Sequence, residues 1–491
     1  MARDADSRTP GRGRWIGLGL GPLLFAACLL LPTPADLSPL AWKVAAVALL
    51  MVCWWVSEAI PIPATSMLPL VAFPLLGVMK SEDVAPCYAD HNIFLFMGGF
   101  LIALAMEKWG LHRRIALHTI RLFGSRRQDG WQASMPLLVL GFMCAAALLS
   151  MWVSNTATTL MMLPIATAVL GGFDDHPAGD RLATALLLGI AYAASAGGIG
   201  TLIGTPPNIV LAGDVKKLLQ VEIGFGQWML LGVPLVVLLV PMIWLYLVRV
   251  AAPLPRGAGR IPVDLDAEIE ALGPVTRGEW TVLAVFGLCA AAWILRRPLI
   301  GPLLPFVSDA TIAMLAGLLL FVLPVDVRRG RFALDWPQAL QLPWGVLLLF
   351  GGGFALAAGM EQSGLAAWLS QRLLVLAGLP VPLVVLATCL LMAGLTELTS
   401  NTATTIAMLP ILAPAAKAMG IPPLTLMVPA AMAASCAFML PAATPPNAIV
   451  FGTGRVRLAQ MFRCGLALEL VGAVLITLLV CTLSGWVFRA G

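Results

Sequence analysis

Residues 154–165 read SNTATTLMMLPI, and residues 400–411 read SNTATTIAMLPI, with ten of the twelve positions identical. Each copy lies in the middle of a long apolar segment. Ser, Asn and Thr are poor residues for the interior of a helix, because their side chains compete for backbone groups, but they are good N-caps. We therefore predict that each Ser-Asn-Thr triplet forms the tip of a helical hairpin, with a helix beginning just after it.

Two further stretches repeat in the same order as this motif. The segment 95–111, LFMGGFLIALAMEKWGL, matches LFGGGFALAAGMEQSGL at 349–365, and the tetrapeptide TPPN at 205–208 recurs at 444–447. The three matching pairs are offset by 254, 246 and 239 residues, so the loops have changed in length while the order has been kept. The chain therefore consists of two related halves.

The composition excludes a soluble fold. Hydrophobic residues make up 60% of the 491 residues, charged residues make up 11%, and the mean hydropathy is +0.93. A soluble domain is about 45–50% apolar and about 25% charged. Apolar stretches of about 20 residues, the length that spans a bilayer, recur along the whole chain. We therefore predict an all-α polytopic membrane protein. The net charge of +5 indicates positive-inside bias rather than nucleic-acid binding.

The apolar segments divide the chain into four parts. These are an N-terminal tail with a first helix at 1–37, a first inverted repeat at 38–251, a cytoplasmic linker at 252–278 and a second inverted repeat at 279–491. Each repeat holds one predicted hairpin and one predicted broken helix, at 132–171 and 181–212 in the first repeat and at 380–416 and 424–451 in the second.

The topology follows from this division. If both hairpins are re-entrant, about eleven helices cross the membrane and the two repeats have opposite orientations. Arginines precede the first apolar run, 15–31, which is either a signal peptide or a retained first helix. The length of that run favours the retained helix.

The basic residues set the predicted orientation. With the N-terminus in the cytoplasm, most Lys and Arg residues fall on the cytoplasmic side, as the positive-inside rule requires. The pairs Lys216/Lys217 and Arg296/Arg297 violate the rule. We expect the protein to be integral to the cytoplasmic (inner) membrane.

The two TPPN stretches predict breaks in membrane helices near Gly204–Asn208 and Ala443–Asn447. Adjacent prolines remove backbone donors and stop a helix, which leaves carbonyl oxygens without partners. Such oxygens suit a cation such as Na⁺, and free N–H groups at a helix start suit an anion. Paired broken segments in inverted repeats are the sequence feature that best indicates the midplane site of a transporter.

The same segments lack fixed positive charge. No Lys or Arg lies between Arg127 and Arg181, or between Arg372 and Lys417. An anion bound there depends on helix dipoles, amides, hydroxyls and co-bound cations, so its binding is coupled to the cation. We do not expect an enzyme, because no metal motif or nucleophile–base pair lies near either hairpin.

In these motifs the sequence resembles the divalent anion:sodium symporter family, which carries di- and tricarboxylates or sulfate. The two Ser-Asn-Thr motifs and the two Pro-Pro-Asn loops carry the resemblance, which covers nearly the whole chain. It implies a homodimer in which a transport domain, built from both hairpins and both broken helices, slides across the lipid bilayer past a scaffold domain as an elevator. It also implies Na⁺ as the co-transported ion and no organic cofactor.

The resemblance also implies the site residues. It places the first Na⁺ site at Ser150, Ser154, Asn155 and Gly204, and the second at Thr396, Ser400, Asn401 and Ala443. It places the substrate at Asn155, Thr156, Asn401, Thr402, Thr205, Pro206, Thr444 and Pro445. Ser150 and Thr396 each precede their motif serine by four residues, one helical turn, which agrees with this assignment.

Several functions remain open. Both motifs end in Thr, which in this family is commoner among carboxylate carriers, so we favour Na⁺-coupled symport of C4-dicarboxylates such as succinate. The alternatives are Na⁺-independent dicarboxylate exchange, a sulfate or tricarboxylate carrier, and another anion permease.

Overall fold

The computed structural model describes residues 12–34, 36–127, 130–173, 176–255, 258–259, 265–372 and 378–488. Most of the predicted N-terminal tail and part of the 252–278 linker lie outside these residues. Within them, nine helices are long and apolar enough to cross a membrane. They are Gly13–Leu30, Pro39–Ser57, Ser81–Lys108, Gly179–Gly198, Phe225–Ala251, Arg277–Leu303, Trp344–Ser363, Val381–Leu398 and Leu458–Val487. The prediction of a polytopic helical membrane protein is confirmed.

The N-terminal helix, Arg12–Leu30, packs against Pro39–Ser57. The indole Nε1 of Trp54 donates to the carbonyl oxygen of Gly17 at 3.1 Å. The next segment consists of two short helices, Ile62–Thr65 and Leu68–Leu76. The second begins beside Pro69, which has no N–H to continue a helix from the preceding turn.

The segments that contain the repeated stretches 95–111 and 349–365 are each divided into two helices by a glycine. His91–Lys108 is followed by Leu111–Arg121, and Trp344–Ser363 by Leu365–Arg372. At the joints Gly110 and Gly364 have φ angles of 70° and 81°. A residue with a side chain rarely adopts this left-handed conformation, so glycine ends the first helix in both repeats.

Both predicted hairpins are present as helix pairs. Hairpin 1 comprises Met135–Ser150 and Asn155–Gly171, and hairpin 2 comprises Val381–Leu398 and Asn401–Ala418. The sequence 132–134, predicted within hairpin 1, belongs instead to a strand, Gly130–Ser134. This strand pairs with Ser125–Arg127 and with Ala258–Gly259 of the linker, so its backbone groups are used by neighbours in a sheet.

Both predicted broken helices are also present. Broken helix 1 comprises Gly179–Gly198 and Pro206–Leu219, and broken helix 2 comprises Leu424–Ala434 and Pro445–Phe451. The breaks therefore span 199–205 and 435–444, several residues earlier than predicted. The proline pairs begin the second halves, because proline at the first helical positions loses only N–H groups that have no partner within the helix.

The repeats interlock at these elements. Pro206–Leu219 of broken helix 1 packs on Asn401–Ala418 of hairpin 2. Pro445–Phe451 of broken helix 2 packs in turn on Asn155–Gly171 of hairpin 1. Each hairpin is thus completed by the broken helix of the other repeat.

The remaining elements connect or surround this core. The helices are Ser81–Val84, Ala85–Ala89 (3₁₀), Phe225–Tyr246, Leu247–Ala251 (π), Leu265–Ala271, Arg277–Leu295, Arg296–Ile300 (π), Gly301–Leu303, Asp309–Val322, Trp336–Ala339 and Leu458–Val487. Two short strands, Pro324–Asp326 and Arg331–Phe332, pair antiparallel.

Charged residues mark two ends of the molecule. The helix Leu265–Ala271 of the linker lies against Leu111–Arg121, where Arg113 pairs with Glu268 at 2.8 Å. We call this end the linker face. The opposite face lies at the other end of His91–Lys108, whose 18 residues are about 27 Å long.

Three residues of the basic pairs that violate the positive-inside rule have an acidic or histidine partner at the opposite face. Arg296 lies 2.6 Å from Asp309 and 2.7 Å from Glu222. Lys217 lies 3.8 Å from Asp90, and Lys216 contacts a ring nitrogen of His91 at 3.2 Å.

Candidate functional site

The tip of hairpin 1 is formed by an N-cap, as predicted. The side chain of Ser154 accepts a hydrogen bond from the N–H of Ala157 at 3.2 Å, and the helix begins at Asn155. One turn before the motif, Ser150 donates its hydroxyl to Oδ1 of Asn155 at 2.5 Å. The helix thus begins within the triplet, and the hydroxyl of Ser150 lies beside the amide oxygen of Asn155.

The loop of broken helix 1 brings a third oxygen to this tip. A Cβ atom at Gly198 would lie 2.6 Å from Oδ1 of Asn155 and 3.0 Å from the carbonyl oxygen of Gly204. Only glycine therefore fits between these two oxygens and the backbone. Three of the four residues predicted for the first cation site, Ser150, Asn155 and Gly204, converge on one point, and Ser154 caps the same tip.

Hairpin 2 has the same shape with different hydrogen bonds. Ser400 occupies the N-cap position, but its side chain makes no cap hydrogen bond. The hydroxyl of Thr396 donates to the carbonyl of Ala393 at 2.9 Å. Oδ1 of Asn401 is buried and has no hydrogen-bond partner. A buried acceptor without a donor is costly, and a bound cation would satisfy it.

Two asparagines hold the loops of the broken helices. Nδ2 of Asn208 donates to three carbonyl oxygens of the first loop region, and the nearest, that of Thr201, is 2.7 Å away. Nδ2 of Asn447 donates to the carbonyls of Ala437 and Leu440 at 3.2 and 3.1 Å. Both side chains are fully buried. They fix the backbone beside the predicted cation ligands.

The two tips and the two loops surround one cavity of about 1100 Å³. All eight residues predicted to bind substrate line it. Among the residues predicted for the cation sites, Ser150 and Thr396 do not line the cavity and are fully buried one turn behind the tips. The site therefore has an outer wall that faces the cavity and an inner layer that is closed to it.

The cavity opens toward the linker face, because Glu107, next to Lys108 at that end of its helix, lines it. Its charged lining residues are Glu58 and Glu107, and among the described lining residues there is no Lys or Arg. Both glutamates are exposed to the cavity. An anion here meets hydroxyls, amides and helix N-termini but no fixed positive charge.

Sequence reasoning assigned no role to several residues that shape the site. Asn208 and Asn447 belong to the repeated loops. Glu397 and Glu469 lie outside every repeated motif, although both bind the second loop. The repetition of TPPN could have indicated the two asparagines. The position of Glu397 directly after Thr396 could have indicated that glutamate.

Two solved transporter structures share the fold. The YdaH transporter of Alcanivorax borkumensis has a TM-score of 0.52 at 16% identity, and the match covers 96% of this chain and 97% of that chain. The MtrF protein of Neisseria gonorrhoeae has a TM-score of 0.58 at 12% identity, and the match covers 95% and 94%. At these identities the likeness establishes the fold alone.

Sequence comparison is more specific. A profile of the family described as the sodium:sulfate symporter transmembrane region matches residues 13–489. The sodium-dependent dicarboxylate transporter SdcS of Staphylococcus saprophyticus is 44% identical over 490 residues, which cover 97% of this chain and 92% of the relative. SdcS of Staphylococcus aureus strain USA300 is 44% identical over 486 residues, which cover 95% and 91%. This chain therefore belongs to the divalent anion:sodium symporter family.

Proposed function

We propose that this protein is a Na⁺-coupled secondary active symporter of C4-dicarboxylates such as succinate. The observation that carries the proposal is the cavity, which is lined by both Ser-Asn-Thr tips and both loops and by no described basic side chain. The relatives that are 44% identical over nearly the whole chain are named sodium-dependent dicarboxylate transporters, which supports the same function.

In this proposal the first Na⁺ binds between the tip of hairpin 1 and the loop of broken helix 1. Its ligands are the oxygens of Ser150, Ser154 and Asn155 and the carbonyl of Gly204. Oxygen ligands suit a hard cation. Binding would displace the hydroxyl proton of Ser150 from its contact with Asn155, so the amide oxygen changes partner rather than losing one.

The second Na⁺ binds at the repeat-related place in hairpin 2. Its ligands are Thr396, Ser400, Asn401 and the carbonyl of Ala443. The unpartnered oxygen of Asn401 supports this assignment. The substrate then lies between the two cations, where each carboxylate meets one helix N-terminus and one cation. Hydroxyls and amides of the residues predicted to bind substrate orient it.

The movement and the assembly are part of the proposal. The hairpins and broken helices form a transport domain that slides as an elevator against a scaffold, and two copies of the chain form a homodimer. The protein lies in the cytoplasmic membrane with its N-terminus and linker face in the cytoplasm, which places the open cavity on the cytoplasmic side. The positive charge of the linker-face arginines supports this orientation.

The test is uptake of labelled succinate by liposomes that contain the purified protein. We expect uptake that requires an inward Na⁺ gradient and needs no succinate inside. Uptake that ignores Na⁺ but requires internal dicarboxylate would make the protein an exchanger and would remove both cation sites. An inward Na⁺ gradient that drives no succinate uptake at all would overturn the dicarboxylate assignment.

A second candidate substrate is sulfate, which the description of the matching family names. Unlabelled sulfate and citrate, added in excess to the succinate assay, separate the candidates. We expect C4-dicarboxylates to compete and sulfate not to compete. Stronger competition by sulfate or by citrate would assign the protein to sulfate or tricarboxylate transport.

A further inference from the structure

Two glutamates bind the unwound loop of broken helix 2 from opposite sides. Oε1 and Oε2 of Glu397 accept the N–H groups of Met439 and Leu440 at 2.9 and 2.7 Å. Oε1 of Glu469 accepts the N–H of Phe438 at 2.9 Å. Both side chains are buried, with 3% and 4% of their surface exposed. Three consecutive amides of the loop are therefore held by two acids.

The two acids also lie next to each other, with their side chains within hydrogen-bond reach. Glu469 holds Phe438, and Glu397 holds the next two residues, Met439 and Leu440. The two side chains and the loop therefore form one buried cluster.

The first repeat fixes its loop at the corresponding positions by different chemistry. The hydroxyl of Thr201 donates to the carbonyl of Met151 at 2.5 Å, and Nε1 of Trp228 donates to the carbonyl of Ile199 at 2.9 Å. Trp228 and Glu469 both lie in the long helix that follows their broken helix. The repeat offsets relate Met151 to Glu397, Thr201 to Leu440 and Ile199 to Phe438.

Because both repeats hold their loop at two corresponding residues, we infer that these two contacts are a common feature of the site. Each repeat joins the end of the first hairpin helix to one loop residue, and the following long helix to another. The first repeat uses a hydroxyl and an indole as donors, and the second uses two glutamates as acceptors.

The held loop leads directly to the second cation site. Glu397 follows Thr396 in the chain, and the carbonyl of Leu440 accepts the N–H of Ala443 at 3.2 Å and an amide N–H of Asn447 at 3.1 Å. Movement of Leu440 would therefore move the Ala443 carbonyl that is assigned to the cation.

We propose that Glu397 and Glu469 are positioning residues that set the affinity of the second Na⁺ site by holding the loop that leads to it. The proposal rests on the proposed function, because it requires Na⁺ at that site. Amide and aliphatic substitutions test it, because an amide keeps an acceptor oxygen for the loop and an aliphatic side chain does not.

The experiment compares variants of the full-length protein in liposomes and in detergent. Glu469→Gln keeps a donor toward Glu397 and an acceptor for Phe438, so we expect a Na⁺ concentration for half-maximal uptake within about twofold of wild type. Glu469→Leu removes both contacts. Glu397→Gln keeps one acceptor oxygen for two N–H groups. We expect each of these two to raise that concentration about tenfold.

A second readout separates affinity from folding. The maximal uptake rate at saturating Na⁺ should change little in these variants. In detergent without succinate, the Na⁺ concentration that raises the unfolding temperature should increase by the same factor as in the uptake assay. Glu361→Gln is the control, because Glu361 is exposed and does not line the cavity. If Glu397→Gln does not fold, the comparison of Glu469→Gln with Glu469→Leu decides the matter.

The outcomes distinguish this inference from the proposed function. Wild-type protein that takes up succinate without Na⁺ would end the proposed function whatever the variants do. Na⁺-dependent wild-type uptake together with an unchanged Na⁺ requirement in Glu397→Gln and Glu469→Leu would overturn the positioning role alone. A Glu469→Gln variant that behaves like Glu469→Leu would overturn the role assigned to the hydrogen bond between Glu469 and Phe438.

Discussion

Asn155 and Asn401 occupy repeat-related positions, but their side-chain oxygens have different surroundings. Oδ1 of Asn155 receives the hydroxyl of Ser150, whereas Oδ1 of Asn401 is buried without a partner. We expect Asn155→Ala or Asn401→Ala to lower succinate uptake by about two orders of magnitude, because disturbance of a metal site typically costs 10–100-fold even when it affects only supporting residues.

The measurement is initial uptake in liposomes, with dimeric state and thermal unfolding checked on the same preparations. Gln362→Ala is the matched control, because it also removes an amide but from an exposed position. We expect the control to transport normally. Wild-type uptake by Asn155→Ala or Asn401→Ala would refute the assignment of the site.

Gly198 belongs to the same residue-level argument. A methyl group at this position would lie 2.6 Å from Oδ1 of Asn155, inside the space assigned to the first Na⁺. We expect Gly198→Ala to raise the Na⁺ concentration for half-maximal uptake at least tenfold. A tenfold change corresponds to about 1.4 kcal/mol, and the loss of one ligand contact costs at least this much. The measurement is the Na⁺ dependence of uptake.

The control for Gly198→Ala is Gly287→Ala, where a Cβ atom meets nothing within 4 Å. This variant should keep the Na⁺ dependence of the wild type. A Gly198→Ala protein with unchanged Na⁺ dependence would show that the cation does not bind between Asn155 and Gly204.

At the scale of elements, the sequence predicts which segments break but not where each break begins. Ser154 and Ser400 mark the hairpin tips correctly, because an N-cap is a local property of the chain. The loop of broken helix 2 already begins at residue 435, although the first proline within that loop is Pro441. That loop is held by Glu397 and Glu469, which are remote in sequence, and local patterns do not encode such contacts.

The asparagines that hold the loops give a prediction at this scale. Asn208→Leu removes a donor from three carbonyls, of which that of Ile199 keeps the indole of Trp228. Asn447→Leu removes a donor from two carbonyls, of which that of Leu440 keeps the N–H of Ala443. Two carbonyls thus lose their donor in the first variant and one in the second. Each buried unsatisfied group costs about 1–3 kcal/mol. We therefore expect both variants to unfold at lower temperature than wild type, and Asn208→Leu to be the less stable.

Thermal unfolding of the purified variants in detergent measures this order. Gln220→Leu is a control for the change of an amide to leucine, because its side chain contacts only the carbonyl of Lys217 and is exposed. A larger loss of stability in Asn447→Leu than in Asn208→Leu would contradict the count of hydrogen bonds as the cause.

For the whole molecule, the cavity reaches the linker face, and contacts at the opposite face join broken helix 1 to a neighbouring helix. There the ammonium group of Lys217 lies 3.8 Å from Asp90 and 4.2 Å from the centre of the Phe354 ring. Asp90 caps the helix His91–Lys108, whereas Lys217 lies in the last turn of broken helix 1. In the proposed elevator movement, broken helix 1 slides past the helix His91–Lys108, which separates these groups.

We therefore expect Lys217→Met to favour the state open at the opposite face. A partly buried ion pair of this kind contributes about 1 kcal/mol, which corresponds to about a fivefold change in population. The measurement is the rate at which a cysteine introduced at Ala448, in the cavity wall, reacts with a membrane-impermeant maleimide from each side of the membrane.

Lys80→Met is the matched control for this variant. Lys80 pairs with Glu82 at 3.4 Å, but both side chains are highly exposed and close together in sequence. Its substitution should leave the labelling rates unchanged. Equal labelling rates in Lys217→Met and wild type would show that the contact with Asp90 does not hold the molecule in its present state.

The interlocked packing of the repeats bears on how the protein is made by the ribosome. The helix Pro445–Phe451 packs on Asn155–Gly171, so the first hairpin gains this neighbour only when nearly the whole chain has been synthesised. Until then the polar tip of this hairpin lacks its packing partner, and it remains exposed in the membrane or bound to the insertion machinery. A gene that stops after the first repeat would therefore encode no half-sized carrier, and separately expressed halves would become active only by assembling with each other.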